Sequence, residues 1–447
     1  MKKLLIIQQD DAYFLFETIQ VLEKNKQSLK DYSLTILVNP ESLKTAFTNS
    51  NPVVSGIITD ASKIKGQHFD VSINLSLNES SWPFHAEVSA DKKLGPYHKN
   101  GQTFVDDLWS SYLMTLKAKA PFLTFHLQDV YRNILGIKSI SQAKHTRTTI
   151  RQIAFGATAP HIFSAEEQEA LIHELSLSYP NYPLKDISEI DLMSDLSHSL
   201  YIGPTTFDSL KFCEAGGRGI FLSSSFQGFN LVPYNPDHLY LSSRGGTFKA
   251  DVLLPFIEKE VAGQINNDIE YSIYSVEHEN VFGAYLKSHN VSDENYPFYQ
   301  AHVVLWNFLL NLFDINLEIT RCNQAQLNLL KSQFEVLTKY TRLHDYAMVS
   351  VDTVYQESKK AHADGGKIDG HLKNLVEIDR LSDQISQSHS LLRPLLDFYR
   401  IRRGQNHGET LSDQAQASFL TYSEEHQALQ ALGELISVTL RKNEVSI

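Results

Sequence analysis

Three short stretches of this 447-residue chain hold residue types that could act on a hydroxyl or hold a phosphate. Asp10-Asp11 closes the short polar loop that follows an apolar run. A carboxylate there could take a proton from an acceptor hydroxyl, although one Asp at such a place also serves as a helix N-cap while the other faces solvent. Phe155-Gly156-Ala157-Thr158-Ala159-Pro160 offers small residues that would let a phosphate approach the backbone, or that would make a tight structural turn. Gly203-Pro204-Thr205-Thr206-Phe207-Asp208-Ser209 reads as a strand-to-helix junction. Its Thr hydroxyls and backbone N–H groups could receive a pyrophosphate, and Thr is also an ordinary N-cap.

These stretches need a scaffold that brings strand ends and helix starts to one edge. Lys3 to Gln8 is a short apolar run that reads as a buried strand. From Ala12 to Asn25, Phe16, Ile19 and Leu22 recur at helical spacing. Further strands are expected at Leu34 to Val38, Val53 to Thr59 and Phe69 to Leu75, separated by helical stretches, which predicts a parallel, helix-covered sheet. The rhythm restarts after Lys144-His145-Thr146-Arg147. A strand spans Ile150 to Phe155; Ser164 with Glu167 forms a Ser-x-x-Glu capping box ahead of a helix carrying Leu171, Ile172 and Leu175. Ser199 to Gly203, Thr205 to Ala215 and Gly219 to Ser223 continue as strand, helix and strand, with Gly216-Gly217 between the last two.

From about Tyr296 helical stripes take over: Leu327, Leu330, Phe334 and Leu337; Ile378, Ile385, Leu392 and Tyr399, interrupted by Pro394; and Leu429, Leu432, Ile436 and Leu440. They predict helix-pair seams. Ala361 to Gly370, with three glycines, reads as a linker. The expected division is 1–145, 146–290 and a helical extension at 291–447.

The totals exclude several classes. A formal net charge of −12 argues against a grip on nucleic acid, and no run approaches the roughly 18 apolar residues of a membrane span. The start is too short in apolar residues for a signal peptide, which predicts a cytoplasmic location. Cys213 and Cys322 are the only cysteines, too far apart in sequence for a disulfide framework or a cysteine metal site. No histidine pair has zinc spacing, so no metal is expected. Trp82, Phe84 and His85 could stack on a sugar or serve as packing. Arg400, Arg402 and Arg403 could meet an anionic acceptor or the inner membrane, or form a solvated helix end.

Taken together, residues 1 to about 290 resemble the GT-B glycosyltransferases of the heptosyltransferase kind, glycosyltransferase family 9. The opening strand and helix match in length and pattern, Lys92-Lys93-Leu94-Gly95-Pro96-Tyr97 sits where the family has its acceptor-side loop, and Phe155 to Thr158 matches the strand opening its donor domain. Leu200 to Ala215 resembles the donor motif Gly-x-Asp-Thr-Gly-x-x-His-x-x-Ala-Ala, with Gly203 and Thr206 in register. Thr205, Phe207 and Leu210 replace the motif's Asp, Gly and His. The family's catalytic Asp falls on Phe14, leaving Asp10, Asp11 and Glu17 as the nearest carboxylates, and its donor-domain Lys has no counterpart near His161.

The resemblance implies two Rossmann-like domains facing across a cleft. It also implies a metal-independent transferase with no cofactor besides its nucleotide-sugar donor, an ADP-sugar being one candidate. Gly156, Thr158, Gly203, Thr205, Thr206 and Asp208 would hold the donor, and a glycan or glycolipid of lipopolysaccharide type would accept the sugar. The resemblance leaves the helical extension unexplained, and oligomerisation or assembly is the separate expectation for it. The rival expectations are a catalytically inactive relative that binds a nucleotide sugar or a glycan, and a nucleotide-sugar-modifying enzyme such as an epimerase.

Overall fold

The computed structural model describes residues 1–46, 54–99, 102–105, 107–116, 123–137, 149–192, 194–229, 232–235, 237–264, 269–279, 283–290, 292–310, 322–405 and 410–444. The restart expected around Lys144 to Arg147 lies outside them. By internal contacts the chain divides into two compact units. One comprises residues 1–121, 127–138 and 300–447, the other 122–126 and 139–299. Residues 300–447 therefore group with the N-terminal sheet.

In the first unit, strands β1 (Lys2–Gln8), β2 (Tyr32–Val38), β3 (Gly56–Ile58), β4 (His68–Asn74) and β5 (Ser89–Leu94) form one parallel sheet, in the order β3-β2-β1-β4-β5. Leu4 to Ile7 are buried without alternation, as expected of a strand covered on both faces. Helices α1 (Ala12–Lys24), α2 (Pro40–Ala46) and α3 (Ser81–Glu87) connect the strands. On α1, Phe16, Ile19 and Leu22 form the inward stripe. A hairpin of β6 (Tyr97–Lys99) and β7 (Gln102–Phe104) follows, then α4 (Leu108–Thr115) and α5 (Leu127–Ile134).

The second unit contains β8 (Gln152–Phe155), α6 (Ala165–Ser178), β9 (Leu184–Asp186), β10 (Ser199–Pro204), α7 (Phe207–Glu214), β11 (Arg218–Ser223), β12 (Leu239–Ser242), α8 (Ala250–Val261), β13 (Ser272–Glu279) and β14 (Gly283–Ser288). Its sheet runs β14-β13-β12-β11-β10-β8-β9, with β8 to β12 parallel and the last two strands antiparallel. Phe155, Ile202, Ile220 and Leu241 pack on Leu171 and Leu175 of α6 and Leu253 and Ile257 of α8. Ser164 accepts from the Glu167 N–H, but the expected box is not closed. The Glu167 carboxylate instead accepts from the N–H of Ala250, at the start of α8, and from Lys249 Nζ, each at 2.8 Å.

Helices α9 (Tyr296–Leu309), α10 (Gln324–Ser358), α11 (Gly365–Ser388), α12 (Arg393–Arg403) and α13 (Leu411–Glu444) complete the chain. The expected linker at 361–370 is corrected: its three glycines lie inside α11, which starts because the Asp364 carboxylate accepts from the N–H groups of Gly366 and Lys367. Ala347 and Val351 of α10, Ile378 of α11 and Tyr422 of α13 share a core. Gln405, just past α12, ties this bundle to the hairpin by accepting from the Val105 N–H and donating to the Thr103 carbonyl. No helix among the described residues is long and apolar enough to cross a membrane.

Candidate active site

In the first sheet the chain fills one side of β1 with β2 and β3, then crosses to β4 and β5. The strand order thus reverses between β1 and β4, and the crevice outside their carboxyl ends is where open α/β sheets bind ligands. Asp10 lies there. Its Oδ1 accepts from Ser76 Oγ at 3.0 Å and the Asn78 N–H at 2.8 Å, and its Oδ2 accepts from the Leu77 N–H at 2.8 Å. The carboxylate of the β1 loop is therefore wrapped by the loop that follows β4. Its own backbone is fixed as well: the N–H donates to Gln8 Oε1 and the carbonyl accepts from Ser42 Oγ. Gln8 in turn donates to Thr18 and Tyr131, both buried.

Burial is the largest influence on Asp10 and disfavours its charge. The three hydrogen bonds oppose it, Asp11 adds repulsion, and the carboxyl ends above its ordinary value. Each carboxylate oxygen has two lone pairs. Among the described residues Oδ2 takes the Leu77 bond alone, which leaves it room for one further proton donor.

The neighbouring candidates are placed differently. Asp11 caps α1, accepting from the N–H groups of Tyr13 and Phe14. Glu17 is 1% exposed and accepts from Gln128 Nε2 at 2.6 Å, on the face that α1 turns to α5 rather than at the strand edge. Of the aromatic residues considered for sugar stacking, Trp82 is buried and donates to the Ser76 carbonyl, so it holds the Asp10 loop instead. His85 is buried against the Pro96 carbonyl, and burial pulls its imidazole down to about 4. Gly95 is required where it stands, since a β-carbon would lie 2.0 Å from the Asn74 carbonyl oxygen.

In the second sheet the order reverses between β8 and β10, whose ends carry Gly156 and Gly203. A β-carbon on Gly156 would lie 2.0 Å from the Tyr201 hydroxyl, and one on Gly203 would lie 2.9 Å from it and 3.0 Å from Gly156 itself. Tyr201 also donates to the Pro204 carbonyl at 2.5 Å. The two glycines therefore make room for a phenol. Thr206 forms a closed capping box with Ser209: the Ser209 N–H donates to Thr206 Oγ1, and the Thr206 N–H to Ser209 Oγ. Thr158, His161 and Asp208 are exposed.

Thr205 lines a cavity of about 140 Å³ at the ends of β10, β11 and β12. Phe221, Phe226, Tyr240 and Tyr274 contribute its aromatic wall. Ser223, Ser242 and the loop residues Ser225 and Gln227 supply polar groups. Asp293, 5% exposed, accepts from Ser242 Oγ at 2.8 Å and the Tyr274 hydroxyl at 2.7 Å behind that wall. Neither Tyr201 nor Asp293 was among the residues singled out by sequence. A strand tyrosine and an acid after a hairpin carry no spacing signal, and only the fold reveals their places.

The basic cluster is spoken for. Arg400 pairs with Asp383 and Asp397, Arg402 with Glu424, and Arg403 with Asp379 and the fully buried Glu425. Among the described residues there is no grouping of three or more His, Cys, Asp or Glu side chains that could hold a metal ion.

No protein-family model and no curated protein matches the chain. Among solved structures it is similar to the E. coli heptosyltransferase WaaC with ADP, at 10% identity and a TM-score of 0.39, over 57% of this chain and 99% of that one. The same enzyme with ADP-2-deoxy-2-fluoro heptose gives 11% and 0.37 over 58% and 99%. A glycosyl transferase of family 9 from Veillonella parvula DSM 2008 gives 13% and 0.37 over 60% and 90%.

Proposed function

We propose that this protein is a glycosyltransferase that moves a sugar, a heptose among the candidates, from a nucleotide-sugar donor to a hydroxyl of a cell-surface glycan of lipopolysaccharide type. The observation that carries the reading is Asp10: a fixed, partly buried carboxyl, raised above its ordinary value, at the reversal point of a parallel sheet. A general base works best when burial brings its affinity for protons toward the operating pH. The acceptor O–H would give its proton to Asp10 Oδ2 as its oxygen bonds to the anomeric carbon. The bond from that carbon to the donor phosphate breaks, and the nucleotide leaves with the electron pair. Asp11 and Glu17, already engaged, would support the loop and α1.

The donor belongs to the second unit in this reading. Its base would enter the aromatic cavity and its phosphates would lie over Thr205 and the first N–H groups of α7, Asp208 included. Gly156, Thr158, Gly203 and Thr206 would shape this edge through their backbone.

The test is product formation from a panel of ADP-, UDP-, GDP- and CMP-sugars with glycan acceptors. Turnover that falls at least about 100-fold in Asp10→Asn, a typical effect of losing a general base, supports the reading. The absence of turnover with every donor, in a protein whose stability no donor raises, sinks it.

A second reading, a binding protein without catalysis, is favoured by one observation: Tyr201 fills the reversal point of the second sheet. Donor binding without product would select it.

A further inference from the structure

Gln8, the last residue of β1, is fully buried and joins three segments of the first unit. Its Nε2 donates to Thr18 Oγ1 on α1 and to Tyr131 Oη on α5, each at 3.2 Å, and its Oε1 accepts from the Asp10 N–H at 3.3 Å. The polarity of this amide is set from behind. The Thr18 hydroxyl donates its one proton to the Phe14 carbonyl at 2.9 Å, so towards Gln8 it can only accept. A flipped amide would set Oε1 against that lone pair and Nε2 against the Asp10 N–H. The carbonyl end must therefore face Asp10. Beyond it, the Asp10 carbonyl accepts from Ser42 Oγ at 2.7 Å, and the Asp10 carboxylate is gripped by Ser76, Leu77 and Asn78. That grip is itself anchored, because the Trp82 indole donates to the Ser76 carbonyl and the Ser76 N–H to Asn74 Oδ1.

We infer that Gln8 is a positioning residue for Asp10: its amide, oriented by Thr18 and steadied by Tyr131, holds the Asp10 peptide where the carboxylate meets the loop after β4. The inference rests on the reading of Asp10 as the base for the acceptor hydroxyl, and it adds what keeps that base in place. Tying the peptide keeps the carboxylate out of water, the condition that disfavours its charge. The titratable groups around it are Asp11 in the same loop, Tyr13 and Glu17 on α1 and Tyr131 on α5. The loop after β4 and Ser42 of α2 contribute neutral side chains.

The test is an NMR titration of the Asp10 carboxyl in the full chain, its signal identified by absence from Asp10→Asn. Gln8→Met keeps the length of the side chain and removes its polarity. The loop loosens, and the Asp10 carboxyl should bind its proton about fivefold more weakly, the worth of one net hydrogen bond. Gln8→Glu should act in the opposite sense. A carboxylate at residue 8 faces the Thr18 lone pair and repels the charge on Asp10, which should then bind its proton more tightly than in the wild type. Thr18→Val leaves the amide and removes what orients it, so it should shift Asp10 as Gln8→Met does even if that variant does not fold. Unmoved midpoints in all three variants, or shifts of one sign in Gln8→Met and Gln8→Glu, would mean that Gln8 serves packing alone and overturn the inference. Where sugar transfer is measured, Gln8→Met should lower kcat and leave the donor KM unchanged, and a raised KM at unchanged kcat also overturns it. The titration needs no turnover. The expected shifts in an inactive protein would defeat the transferase reading alone, and unmoved midpoints beside active transfer would defeat this inference alone.

Discussion

The hydroxyl of Tyr201 stands 2.0 Å from where Gly156 would carry a β-carbon, so the two residues are complementary halves of one contact. Glycine at a strand end beside a reversal of strand order is usually read as a place for a phosphate. Here the same backbone exposure accommodates a side chain from the neighbouring strand.

This complementarity is measurable. Gly156→Ala should destabilise the chain by about 1–3 kcal/mol through overpacking. Tyr201→Leu, which removes the phenol, should cost stability alone yet recover part of the Gly156→Ala loss when combined with it. Urea denaturation of the four proteins gives the coupling, and values that simply add would contradict the contact.

Asp10 gives a pH signature. Its carboxyl is raised on folding, so its contribution to stability is full below the ordinary value of 3.8 and is lost as pH rises through the folded value. The stability of the wild type minus that of Asp10→Asn should therefore fall as pH climbs through this window. A flat difference in denaturation midpoints would mean that Asp10 is simply solvated.

The Arg403–Glu425 pair behaves in the opposite sense. Although burial opposes its charge, Arg403 and His344 hold the Glu425 carboxyl down to about 2. Its contribution is present above the ordinary value of 4.5 and disappears as pH falls towards 2. Arg403→Met strands a buried charge and should cost about 3–5 kcal/mol, whereas adding Glu425→Leu should restore much of it. Thermal unfolding of the single and double variants checks this.

His85 should be silent across the physiological range. With its imidazole pulled down to about 4, its ring resonances should not titrate between about pH 5 and 8. The stability it lends is full above the ordinary value of 6.5 and is lost as pH falls towards 4. An NMR titration with a midpoint near the ordinary value would show that the ring is solvated.

How much of this was legible in the sequence follows from what each feature depends on. The parallel strands were readable because Leu4 to Ile7 and Leu200 to Ile202 are unbroken apolar runs with a helical stripe close behind. One of Asp10 and Asp11 reads as a helix cap from its place ahead of α1, and the cap is Asp11, while Asp10 is held by the loop after β4 rather than facing solvent. The antiparallel strands β13 and β14 went unread, as their alternation is masked by Tyr and Ser on both faces. Asp10 was singled out for its position, but its loop partners Ser76 to Asn78 are more than sixty residues away and only the sheet order brings them together. The glycines of α11 suggested a linker because local propensity favours one. Packing of Ile368 and Ile378 outweighed it. The arginine cluster looked like a cationic patch because its acidic partners come largely from two other helices.

The first unit is discontinuous: its sheet is synthesised ahead of the second unit, and the helices that share its contacts are synthesised after it. Residues 139–299 can complete their own interactions while the opening segment still waits for its bundle. Translation therefore leaves Val105 and α4 without their helical partners until α12 and Gln405 have emerged. A chain cut short at residue 299 would be expected to spare the later-starting unit and to leave the earlier one without the partners of Val105 and Tyr112, open to aggregation or to chaperones.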